Sequence, residues 1–573
     1  MKTYLIIITS LMLLACGGGG AGTTTATDSG ADTDTGTGTN TGTDTDTGTD
    51  TDTGTDTDTG TDTDAGTDTD TGTDTDSGSV SALDTELRTL LFNKTFDTTE
   101  LTSRQVPASN DPIAVLGKEL FFSKSLSFGD DVACASCHDP RLAGTDNLSL
   151  PVGVGAHNQD VVGPGRRHDG NFYIDPKADF GPNVPRNSPT TFNIAFYDSV
   201  MFWDGRIESV MLDYDRYIRL TPKTENGVDT LIRTPDSFAS GPDPLAGANL
   251  TEAQARFPVT STTEMRGFAS ASGGTTHDSR DLLTQRLIDR GWESYFRDAF
   301  NDYVSTSEEI VGYPFIAKAL SEYQRSQVAL DNPFFDYVAG NDDAISESAK
   351  RGATKFFSDL QDGGCYKCHT GPHFTDENFY VLATPQIGRG KNANAKDFGR
   401  YNVSRSIMDR HAFRTPSLLN VALTAPYMHA GSLIDLETAI QWHYTPSDSV
   451  ANYDYSLESL PQFSGLGINT GKYSTNTAEA LDSVALQLTS PTRRTKYTKG
   501  ALDSTEMADM VAFLQTLSSN CLQDFTCVSK WMPDYTTPSV DGHRLDPELL
   551  LAFDNSAVFD ISVPDVTEVG TGN

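Results

Sequence analysis

A mostly α-helical body with long loops, preceded by a disordered linker, is the fold class this sequence predicts. Three observations carry it. Apolar residues recur at helical spacing in seven separate segments, while strand-like runs are few and short. Residues 17–79 are Gly, Thr and Asp with almost nothing apolar to bury. Finally, Cys134-Ala-Ser-Cys137-His138 is echoed 231 residues later by Cys365-Tyr-Lys-Cys368-His369.

Each C-x-x-C-H reads as a site of covalent c-type haem attachment. The two thiols add across the haem vinyl groups, and the following histidine offers its imidazole to the iron. A lone C-x-x-C would equally serve as a zinc half-site or a redox dithiol. Two copies, each followed by His, in a chain with only seven cysteines favour haem. The fold class therefore sharpens to two cytochrome c-like haem domains, each carrying one covalently bound haem.

In chain order, residues 1–16 place one Lys before an apolar run too short to span a bilayer, the pattern of a signal peptide. Leu13-Leu14-Ala15-Cys16 resembles a lipoprotein cleavage box and predicts Cys16 as the lipidated residue; an ordinary secretory signal is the alternative. Gly17 after Cys16 leans towards the outer membrane. The expected location is the periplasm, or the outer membrane by a lipid tether, with no other membrane contact. The loose TDTDTG repeat of 17–79 holds fifteen mutually repelling Asp residues, predicting an extended coil with a span on the order of 45 Å.

Setting those Asp residues aside takes the net charge from −37 to −22, which argues against nucleic acid. The helical segments are 84–93, 112–122, 281–300, 307–330, 344–360, 434–444 and 503–517. Between them run Gly/Pro/Asn-rich stretches, notably 139–200 and 221–280, which a covalent cofactor would give something to wrap. The predicted domains are 80–335 around the first motif, 336–530 around the second, and a C-terminal extension, 531–573. With one cysteine assigned to lipid and four to haem, Cys521 and Cys527 remain and are expected to form a disulfide.

Several short motifs then resemble the bacterial di-haem cytochrome c peroxidase family, which includes the MauG-type enzymes. They are Leu116-Gly-Lys-Glu-Leu-Phe-Phe122 before the first haem motif, Asn187-Ser-Pro-Thr190, Phe202-Trp-Asp-Gly-Arg206, and Gly364 to Pro372 around the second. Arg414-Thr-Pro-Ser417, Ala425-Pro-Tyr-Met-His-Ala-Gly431 and the 507–517 helix complete the pattern, over roughly residues 112–518. The resemblance implies that an N-terminal haem meets hydrogen peroxide and a C-terminal haem feeds it electrons from a small cytochrome c or cupredoxin, an activity of the cytochrome-c peroxidase type. It leaves the oligomeric state open, a homodimer included.

By the same resemblance His138 and His369 are the proximal ligands, and His157 stands where some members carry a removable distal histidine. A loop histidine is the alternative for His157. Trp203 matches the tryptophan between the haems, and Glu264 the pocket carboxylate that relays the proton peroxide cleavage needs. Asp213 falls where a pocket glutamine is common, after which residues 214–262 form a long insertion. Asn187, Thr424 and Pro426 correspond to an inter-domain calcium site, with a plain turn as the alternative.

Where the peroxidases place a distal methionine on the second haem, this sequence has His443, with Tyr444 beside it; on a helix only one of the two can face the iron. His429 and Met428 are the remaining candidates. Two further functions stay open: a MauG-type oxidase acting on a partner protein, and a plain di-haem electron carrier.

Overall fold

The structure is a computed structural model that describes residues 81–171, 175, 181–213, 216–218, 231–237, 241–268, 274–358, 364–391, 396–465, 479–480 and 501–546. The expected signal peptide, Cys16 and the Asp-rich linker lie outside the described residues, as does most of the first half of the 214–262 insertion. No helix among the described residues is long and apolar enough to cross a membrane.

Helices dominate, and they bury two large apolar cores. In the first core, helix Pro112–Phe121 lies against helix Tyr313–Arg325. Gly117 permits the approach, because a Cβ there would stand 1.9 Å from the Ala319 carbonyl oxygen. Leu116, Phe121, Trp292, Phe296, Ile316 and Tyr323 fill the space around this contact. In the second core, helix Glu347–Phe357 meets helix Ser504–Gln515 in the same manner, with Gly352 admitting the Asp509 carbonyl. Here Phe334, Phe356, Phe357, Phe374 and Phe513 pack mostly as edge-on and tilted rings, with Phe334 stacked on Phe357. One construction is used twice, and a C-x-x-C-H motif follows each glycine-bearing helix.

The cores do not divide at residue 335. Helix Ala82–Asn93, at the N-terminal end of the body, sends Leu87 and Leu91 into the second core, and its buried Asp84 pairs with Lys350 and the Tyr337 hydroxyl. The C-terminal segment returns to the first core, where Leu522, Val528, Trp531 and Leu545 are buried. Cys521 and Cys527 form a disulfide at its start. Trp531 donates its indole N–H to the Ser326 carbonyl, Tyr323 donates to the Trp531 carbonyl, and Asp541 accepts from the Trp292 indole.

Two predicted helices are broken. The 281–300 segment is Thr276–Asp289 and Glu293–Phe300, separated where Gly291 takes φ +84°. The 307–330 segment is Ser307–Ile310 and Tyr313–Arg325, because Pro314 in the first turn of the second helix cannot continue a preceding one. Strand Ile207–Asp213 pairs antiparallel with Val200–Met201, Arg216–Ile218 and Leu231–Arg233. The Phe202–Arg206 motif is the turn between the first two strands. Ile232, Leu250, Ala253 and Phe257 of the insertion pack on Met201 and Ile207, buttressing that turn.

Candidate functional site

Each haem motif folds as a single tight turn. Cys134–Ser136 and Cys365–Lys367 are 3-10 turns, and each histidine N–H continues its turn by donating 3.0 Å to the first cysteine's carbonyl. His138 directs Nδ1 to the Gly144 carbonyl at 3.2 Å, and His369 directs Nδ1 to the Phe374 carbonyl at 3.1 Å. A donated Nδ1–H fixes the tautomer and leaves Nε2 as the ligating atom, as haem binding requires.

Burial keeps all four thiols neutral. It pushes Cys134 and Cys368 up to about 12, Cys365 to about 11, and raises Cys137 as well. His369 is lowered to about 4 by burial and by His443. Neutral imidazoles and uncharged thiols in an apolar cradle fit covalent haem at both motifs.

Around the first motif, Ser188 of the Asn187–Thr190 segment donates to the Cys137 carbonyl at 2.6 Å and sits 3.0 Å from His138 Nδ1. Glu264 is half-buried in a turn beginning at Ser261, and its charge acts on Cys134, Cys137 and Lys391. Asp146 was not singled out from sequence. It is 1 % exposed, and burial lifts its carboxyl to about 7 against the Leu148 N–H and Arg166. The signal for it was its place as the one acid in residues 142–159.

His157 is exposed, its backbone N–H held by the Arg167 carbonyl. The cause is the stitching of the preceding loop. Gly153, Val154 and Gly155 N–H groups donate to Asn183 Oδ1, the Thr263 carbonyl and Asp131 Oδ2. Buried Arg166 donates to the Val152, Gln159 and Val161 carbonyls at 2.8–3.0 Å. The buried histidine of this hairpin is His168. Asp213 ends its strand opposite Arg216.

Around the second motif, Asp435 caps helix Leu436–Tyr444, whose last residues point three ways. Trp442 donates its indole N–H to the Leu382 carbonyl, and Tyr444 is buried in the second core, against which Cys365 packs. The His443 ring faces the His369 ring at 6.5 Å between centroids. His429 is engaged elsewhere: it stacks on Phe413 at 3.7 Å with Nδ1 3.1 Å from the Thr384 hydroxyl.

Between the motifs stands Trp203. Its indole N–H donates 3.0 Å to the Asn187 carbonyl, and its own carbonyl accepts from Arg414 N–H at 2.9 Å. Asn187 adjoins Ser188, which touches His138; two residues beyond Arg414, the Pro416 carbonyl faces His369. Trp203 thus closes a continuous chain of hydrogen bonds and short peptide segments from His138 to His369. Beside it, Arg186 is buried between Asp397, at 2.6 and 2.9 Å, and Asp204, at 2.8 Å. Burial alone would raise both carboxyls; the guanidinium outweighs it and holds them below the usual range.

Of the residues expected at a calcium site, Asn187 and Pro426 come together. Asn187 turns its amide nitrogen, not its oxygen, to the Leu148, Ser149 and Pro426 carbonyls. The Thr424 hydroxyl donates to the Val421 carbonyl. The Leu148, Ser149 and Pro426 carbonyls converge on the Asn187 amide, and carbonyl oxygens are the donors a hard cation takes.

The di-haem cytochrome c peroxidase family matches residues 112–343. The methylamine utilization protein MauG of Methylorubrum extorquens is 30% identical over 342 residues, covering 59% of this chain and 69% of the relative. MauG of Methylophilus methylotrophus is 29% identical over 331 residues, 58% and 71% of the two chains. The cytochrome c551 peroxidase of Pseudomonas aeruginosa is 27% identical over 325 residues, 57% and 69%. The chain belongs to the di-haem cytochrome c peroxidase family, whose members are oxidoreductases with c-type haem.

Proposed function

We propose that the protein reduces hydrogen peroxide at the His138 site, using electrons that enter at the His369 site from a small exported donor protein. Two electrons and two protons convert one peroxide to two waters. Haem bound at the two motifs supplies the redox chemistry. The observation that carries the reading is the connected path from His138 through Ser188, Asn187, Trp203 and Arg414 to His369. Each proximal histidine is held through Nδ1 by a backbone carbonyl, which fixes its ring against the turn.

Glu264 moves the proton from the inner to the outer peroxide oxygen; its half-buried carboxylate near Cys134 and Cys137 supports that role. The stitched 152–167 loop keeps His157 out of the way, so peroxide reaches the first site without a ligand having to leave. Export and a lipid tether at Cys16 complete the proposal and are checked by labelling with radioactive palmitate.

The test is Glu264→Gln. Peroxide turnover should fall on the order of 10²–10⁴-fold while the resting spectrum is unchanged. Wild-type rates would move the relay elsewhere, Asp146 being the next carboxyl to replace. Turnover with a reduced small cytochrome c and no other protein separates this reading from a partner-protein oxidase. Reaction with peroxide at all separates it from an electron carrier.

A further inference from the structure

Deepening the proposed function, and resting on its reading that Cys365 and Cys368 carry haem, we infer that the second haem is held between two histidines, His369 and His443. Two imidazoles on opposite sides of one metal ion, at about 2 Å per bond, stand with ring centroids on the order of 6 Å apart. His369 and His443 stand 6.5 Å apart with rings inclined by 65°.

Both rings are oriented for the task. His369 spends Nδ1 on the Phe374 carbonyl, and His443 spends Nδ1 on the Ala439 carbonyl one turn back in its helix, at 2.8 Å. In each ring Nε2 is the nitrogen left over. The flanking residues brace this orientation: Trp442 is 2 % exposed and tied to Leu382, while Tyr444 is 5 % exposed in the second core, against which Cys365 packs. One residue of register turns a side chain about 100° on a helix, so with Tyr444 in the second core and Trp442 at Leu382 the remaining direction belongs to His443. His429 is locked against Phe413 and Thr384. Met428 packs beside the apolar cluster of Leu433, Ala439 and Trp442.

A second imidazole in place of a thioether withholds the rise in potential that methionine gives a c-type haem. The second haem is therefore a low-potential store with both axial positions filled. It matches a donor of low potential better than a high-potential cytochrome.

The test uses the full-length holoprotein. Pyridine haemochrome should give two haems per chain; a value of one would remove the haem reading itself, separately from the ligand assignment. With two haems present, the second should be low-spin and lack the methionine-to-iron charge-transfer band in the near infrared. His443→Gly should turn one of the two haems high-spin, and added imidazole should restore the low-spin signal. His443→Met should bring in the methionine band and raise that haem's potential, while Tyr444→Phe leaves the low-spin signal unchanged. A methionine band in the wild-type protein, or a low-spin signal that survives His443→Gly with both haems bound, overturns the inference.

Discussion

Replacing Arg186 by Met removes the cation that two buried carboxylates share. Asp397 accepts from it at 2.6 and 2.9 Å, Asp204 pairs with it at 2.8 Å, and Arg186 itself is 6 % exposed. Deleting one partner of a buried ion pair leaves charge in a low dielectric and costs about 3–5 kcal/mol. That is two to four orders of magnitude in the folding equilibrium, at about 1.4 kcal/mol per decade. Urea unfolding of the holoprotein, followed by tryptophan fluorescence at pH 7, measures it as a lower midpoint at unchanged slope.

The pH dependence has a definite sign. Folded Asp204 and Asp397 lie below the ordinary carboxylate range, so their stabilisation is fully present above about pH 4 and is lost as pH falls through their lower folded values. The variant has no such stabilisation to lose, so the gap between the two proteins should close in acid. Arg206→Met is the control. Arg206 reaches Asp204 at only 3.4 Å from a more exposed position, and its loss should cost less than about 1 kcal/mol. An Arg186→Met cost below about 1 kcal/mol at pH 7, or a gap that widens in acid, refutes the reasoning.

Three further outcomes are expected. His157→Ala should leave the resting spectrum unchanged, whereas Arg166→Gln, which gives up charge-assisted bonds of about 1.5–3 kcal/mol each, should raise amide exchange across 152–167 by tenfold or more. Trp531→Ala should cost about 3–5 kcal/mol and loosen helix Tyr313–Arg325, with exchange around Phe513 unaffected. Replacing Cys365 and Cys368 by Ala should halve the covalent haem on a haem-stained denaturing gel.

Much of this was legible in the sequence because its signals are local. The two C-x-x-C-H turns, helix Ala82–Asn93 and the capped helix Leu436–Tyr444 each depend on residues within one or two turns of themselves. Register alone could not choose between His443 and Tyr444; packing of Trp442 against Leu382 makes that choice, sixty residues away in the chain. The Arg186 pair with Asp397 spans 211 residues, and no periodicity announces a contact of that range. For His157 the sequence shows only a histidine in a glycine-rich loop, not how that loop is held. What pins that loop is an arginine nine residues later, together with Asn183 and Asp131.

The crossing of the chain ends sets an order of assembly. The core around Cys134 and Cys137 lacks Trp531, Val528 and Leu545 until almost the whole body has been synthesised. As the chain is made, the first pair of thiols therefore emerges long before the walls that will bury it. The expected order is haem attachment at an open turn first, and closure by the late tail afterwards. The second core is the reverse: helix Ala82–Asn93 is made first and waits for its partners. In a pulse-labelled culture, haem on the first motif should precede protease resistance of the first core, and a chain stopped at residue 520 should acquire the haem yet never the resistance.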